Sequence, residues 1–203
     1  MAKKDLTELV FVIDKSGSMS GLESDTVGGY NALLKSNREG KGEAVVSTVL
    51  FDNDVRVLHD RVPIERVRPL SERDYVPGGC TALLDAVGGA IRYHERVQKI
   101  LPESLRPEHT LFCITTDGLQ NASKEYGYAR VKHMISAAQE RGWEFMFLGA
   151  NIDVAEEAGR LGIREDRAVR YEPTSDGVAF AFDTLRCASA AVRCGEPIEF
   201  DER

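Results

Sequence analysis

Asp14, Ser16, Ser18, Thr81 and Asp117 stand in three short segments, and all five side chains end in oxygen. The first segment is Asp14-Lys15-Ser16-Gly17-Ser18, where one acid and two hydroxyls alternate on a stretch that Gly17 helps to turn. The second is Gly78-Gly79-Cys80-Thr81, and the third is Thr115-Thr116-Asp117-Gly118. A hard divalent cation such as Mg²⁺ wants an octahedron of oxygens, accepts few carboxylates and keeps some of its water. Two acids and three hydroxyls brought together would suit one such ion. Mn²⁺ and Ca²⁺ accept the same donors, so the residue types do not choose among the three.

Each residue also has a plainer use. A strand-ending Asp and loop serines commonly form Asx turns and helix caps. Thr81 stands where it would cap a following helix, and Asp117 where it would stabilise a glycine-containing turn. Only the three segments taken together favour a metal.

Other chemistries fit less well. A Mg²⁺-dependent phosphohydrolase of the haloacid dehalogenase type also places an Asp after its first strand. It needs a second acid two residues on and a lysine facing phosphate, whereas position 16 is Ser and Lys15 faces no evident phosphate. No GxSxG nucleophile elbow and no GxxxxGK[ST] phosphate loop occurs. A binding module is thus expected rather than an enzyme, with the phosphohydrolase as the alternative. The net charge of −7 leaves no broad basic surface for a phosphate backbone, so nucleic acid is not the expected partner.

Cys80, Cys113, Cys187 and Cys194 form no CxxC pair and read as reduced, mostly buried thiols. His59, His94, His109 and His133 lack ligand spacing, and His94 falls on an apolar helix stripe as a core residue. Asp52 and Asp54 suggest a second cation site, but a hairpin turn explains them better. Asn151 and Asp153 follow a strand and suit either a partner-selecting rim or a loop. Glu156, Glu157 and Arg160 read as a solvated helix face.

The elements that must position these residues are strands alternating with helices. Near-continuous apolar runs at 8–13, 43–51, 109–115 and 143–149 are the mark of strands covered on both faces. Asp52-Asn53-Asp54 between 43–51 and VRVLHDRV predicts an antiparallel hairpin at the sheet edge. Leu83, Val87, Ala90, Ile91, His94 and Val97 keep helical spacing. So do Val178, Phe182, Leu185, Ser189 and Val192, with Thr174, Ser175 or Asp176 as N-cap. Weaker helices are expected near 22–37, 125–141 and 152–160. Pro63, Pro69 and Pro77 argue for an irregular stretch over 61–79.

The alternation predicts α/β architecture, a doubly wound, mostly parallel sheet with one antiparallel edge strand and helices on both faces. Its 203 residues, without repeat, linker or composition break, are expected to form one domain, 1–203. In such sheets ligands gather at the carboxyl ends of the strands, where these segments fall. No apolar run approaches the about 20 residues of a membrane span, and MAKKDLTELV lacks the apolar core of a secretion signal. The expected location is the cytoplasm, without a membrane partner.

DxSxS at 14–18, GGxTAL at 78–83 and TTDG at 115–118, in that order, resemble the von Willebrand factor A (VWA) domain family over most of the chain. The resemblance implies a Rossmann-like doubly wound fold and a metal-ion-dependent adhesion site (MIDAS). By it, Ser16 and Ser18 bind the ion directly beside Asp14, Thr81 directly or through water, and Asp117 through water. The remaining position goes to an Asp or Glu of a protein partner. Stand-alone intracellular bacterial relatives often work beside AAA+ ATPases, which implies an adaptor or assembly role. The family's helix shifts further imply coupling between Thr81 and the last helix.

Overall fold

Every one of the nine residues of strand β1 (Leu6–Asp14) is buried, because the strand runs through the middle of a sheet covered on both faces. The structure is a computed structural model and describes residues 5–200. Its sheet has six strands in the order β3-β2-β1-β4-β5-β6, with β2 Glu43–Phe51, β3 Val55–Pro63, β4 His109–Thr116, β5 Trp143–Gly149 and β6 Ala168–Arg170. All neighbours pair in parallel except β2 and β3, which form the antiparallel edge hairpin that Asp52-Asn53-Asp54 predicts.

Side chains alternate across a strand, so β1 feeds two cores. Leu9, Phe11 and Ile13 join the layer under helices α1 (Glu23–Glu39) and α5 (Ser175–Arg193). Val10 and Val12 join the layer under α2 (Leu83–Ile100), α3 (Tyr128–Gln139) and α4 (Val154–Leu161). Fully burying an aliphatic side chain contributes about 1.5–3 kcal/mol, so the apolar runs dictate both layers. Glu8 is the exception on the second face: Arg61, His94 and Gln98 all donate to its buried carboxylate. His94 is thus the packed core residue that the helix stripe predicts.

Several expectations need correction. β6 has no apolar run or alternation to announce it, since three residues pairing with one neighbour suffice to define it. β3 extends to Pro63, and Ile64, Val67, Leu70 and Tyr75 are buried, so the irregular stretch begins later and is anchored to the core. Only Cys113 is buried; Cys80, Cys187 and Cys194 are exposed. Glu157 is not solvated but buried, accepting from the Tyr128 hydroxyl and from Arg160, because α4 packs against α3. At the start of α5, Thr174 is the residue whose side chain caps, accepting from the Gly177 amide at 3.2 Å.

Candidate metal centre

β1 and β4 are parallel neighbours with Ile13 opposite Thr115, so their carboxyl ends deliver Asp14 and the Thr116-Asp117 pair side by side. Asp14 is only 1% exposed. Its Oδ1 accepts the Ser16 amide at 2.7 Å, its Oδ2 accepts the Thr116 hydroxyl at 2.6 Å, and its backbone carbonyl accepts the Tyr75 hydroxyl at 2.6 Å. The first of these bonds folds the chain back so that the Ser16 and Ser18 hydroxyls lie 3.2 Å apart. A short 3₁₀ turn, Gly17–Met19, follows, and Met19 is buried beneath it.

The third segment reaches the first directly. Ser18 Oγ donates to Asp117 Oδ1 at 2.5 Å. The other oxygen, Asp117 Oδ2, is buried and has no hydrogen-bond partner among the described residues. Burial raises both the Asp14 and the Asp117 carboxyls above their ordinary range, and the nearby Asp117 charge adds to the rise at Asp14. A cation between the two acids would offset the cost of holding them charged in low dielectric.

Thr81 belongs to the same cluster. A Cβ on Gly118 would sit 3.4 Å from Thr81 Oγ1 and 3.5 Å from Ser18 Oγ, so the three segments meet at Gly118. Thr81 is buried and its hydroxyl caps nothing; α2 begins after it with no side-chain cap. All five candidate residues therefore converge. No group of three or more His, Cys, Asp or Glu side chains placed to hold a metal ion occurs among the described residues. The donor set here is carboxylate and hydroxyl oxygen, which fits a hard cation that keeps water rather than a thiophilic metal.

Lys15 turns away from the cluster into an ion pair with Asp52, and Asp52 Oδ1 accepts the Asp54 amide in the hairpin turn. The second acid and the phosphate-facing lysine that a haloacid-dehalogenase-type enzyme requires are thus absent from these positions. Asp153 caps α4 by accepting the Glu156 amide at 3.0 Å, and Asn151 takes a left-handed turn with φ 57°. The loop role accounts for both.

No family model matches the chain, and no curated protein matches it. Solved structures do. The vWF domain of the type V pili tip protein Mfa5 from Porphyromonas gingivalis superposes with a TM-score of 0.65 at 13% identity, over 97% of each chain. The manganese-loaded TRAP protein of Plasmodium vivax gives 0.59 at 15%, over 87% of this chain and 72% of that one. Proximal thread matrix protein 1 from the mussel byssus, with a zinc-occupied MIDAS motif, gives 0.61 at 17% over 91% of this chain. Only 46% of that protein is covered, so this chain spans about half its length. The fold is that of a VWA domain.

Within this VWA fold several site residues escape sequence reasoning. Thr116 comes beside Asp14 only once β1 and β4 pair in register. Tyr75 carries no such signal, because it lies in an irregular stretch without periodicity. Asn53 belongs to the predicted hairpin turn and Asn121 carries no sequence signal, yet Cys80 N donates to Asn53 Oδ1 and Thr81 N to Asn121 Oδ1, each at 2.8 Å.

Proposed function

We propose that the protein is a metal-dependent protein-binding module. Asp14, Ser16, Ser18, Thr81 and Asp117 hold one divalent cation, Mg²⁺ in the first instance with Mn²⁺ and Ca²⁺ as substitutes. The ion supplies a Lewis-acidic corner for a carboxylate, and an Asp or Glu of a partner protein occupies it. The observation that carries this is the buried, unpartnered Asp117 Oδ2, on a carboxylate whose other oxygen accepts the Ser18 hydroxyl. What this chain's own residues contribute is placement. Thr116 and the Ser16 amide orient Asp14, and Ser18 orients Asp117.

The manganese-loaded TRAP structure and the thread matrix structure with a zinc-occupied MIDAS motif support a divalent cation on a fold of this kind. No helix among the described residues is long and apolar enough to cross a membrane. The role is that of an adaptor or assembly component in the cytoplasm, beside an AAA+ ATPase complex, and it involves binding rather than catalysis. Titration of the purified chain with Mn²⁺, followed by affinity capture with Mg²⁺ or EDTA, tests this. Wild type should bind one ion and capture a partner only with metal, and Asp14→Ala should lose both. Retention of both by Asp14→Ala would contradict the assignment.

A further inference from the structure

Thr81 is the one cluster residue that no strand end delivers; its loop crosses from the irregular segment to α2. Hydrogen bonds to the backbone of residues 80–82 fix it. The consecutive amides of Cys80 and Thr81 donate to the side-chain oxygens of Asn53 and Asn121, which come from two different loops. The Ala82 amide donates to the Asp52 carbonyl at 2.8 Å, and the Thr81 carbonyl accepts the Asn121 amide at 3.0 Å. The hairpin turn thus grips one side of Thr81 and the segment after Asp117 grips the other.

The Asn53 side chain also lies close against Gly79. Gly79 takes φ 70°, and a Cβ there would fall 2.6 Å from Asn53 Nδ2, so this position admits glycine alone. Gly79 in turn accepts the Gly17 amide at 3.1 Å, and the Gly78 amide donates to the Lys15 carbonyl at 2.9 Å, joining the loop to the first segment. With its amide and carbonyl both held, Thr81 keeps a hydroxyl that no other described residue engages.

We infer that Asn53 and Asn121 are positioning residues for the metal site, acting through Thr81: two amide side chains clamp successive peptide N–H groups so that the Thr81 hydroxyl faces the ion. This rests on the metal site proposed above. Neither asparagine touches the ion; outer-shell partners of this kind typically change metal affinity about 10- to 100-fold.

The test is a double-mutant cycle on the full chain, read by Mn²⁺ titration. Asn53→Ala should weaken Mn²⁺ binding about tenfold, while Asn53→Asp, which keeps an acceptor oxygen, should return it to within about threefold of wild type. In the Thr81→Ala background, Asn53→Ala should add no more than about a twofold effect. Wild-type affinity in Asn53→Ala, or its full effect persisting without Thr81, overturns the positioning role and leaves the metal site standing. A wild-type chain that takes up no Mn²⁺ overturns the metal site itself. Should Asn53→Ala lose cooperative unfolding, Asn121→Ala goes through the same cycle with the same criteria.

Discussion

The Thr116 hydroxyl donates to Asp14 Oδ2 at 2.6 Å, joining residues 102 positions apart in the chain. With the Ser16 amide on Oδ1, both oxygens of the buried carboxylate are oriented by the protein's own donors.

Thr116→Val removes that donor while keeping the side chain's shape. A hydrogen bond to a buried charge contributes about 1.5–3 kcal/mol, so metal-free stability should fall by that amount in urea denaturation. Unchanged stability would mean that Asp14 is neutral or held by other groups.

Asp117→Asn separates the site from the fold. Burial holds the Asp117 carboxyl above its ordinary range, so its charge costs metal-free stability as pH rises through the raised pKa. The neutral amide should leave metal-free stability equal or higher near neutral pH and weaken Mn²⁺ binding at least about tenfold. Loss of stability with unchanged Mn²⁺ affinity would make Asp117 a structural residue.

Lys15 lies inside the first segment, and its ammonium is neutralised by Asp52. Asp52→Asn leaves that charge uncompensated on the residue that follows Asp14 and should weaken Mn²⁺ binding by about fivefold, with a larger effect at low salt. Adding Lys15→Met should reverse the loss. No change on isothermal titration would show that the pair serves the turn alone.

At the opposite end of the sheet, burial and the Arg61 guanidinium push the His94 pKa down to about 4 from its usual 6.5. The Glu8 carboxylate beside it is already balanced by Arg61, so the neutral imidazole serves as a donor there. In this window the unfolded chain binds a proton that the folded chain refuses, and stability falls as pH falls. Between about pH 7 and pH 5 the wild type should lose about 2 kcal/mol more than His94→Gln in urea denaturation. Parallel losses in the two proteins would place the His94 pKa near its ordinary value.

The architecture was legible because parallel strands buried on both faces leave continuous apolar runs, and Leu9 to Ile13 is such a run. Asp14, Ser16, Ser18 and Asp117 could be expected together because they follow the adjacent ends of β1 and β4, whereas Thr81 comes from a loop and was singled out only by its GGxTAL segment. Thr116 was hidden by strand alternation read without its partner strand. Asn53 and Asn121 were hidden because their action is on backbone amides of a distant loop, and an asparagine in a turn looks the same whether or not it clamps one. Glu157 was misread because charge periodicity says nothing about which helix face meets a neighbour. The three exposed cysteines were misread because composition gives a preference for burial, not a position.

The most direct measurement is an anomalous difference map from crystals soaked in Mn²⁺. One strong peak bounded by Asp14, Ser16, Ser18, Thr81 and Asp117, absent in Asp14→Ala crystals, is the predicted result. A map with no peak there, or with Thr81 turned away from a bound ion, would contradict the shared three-segment site.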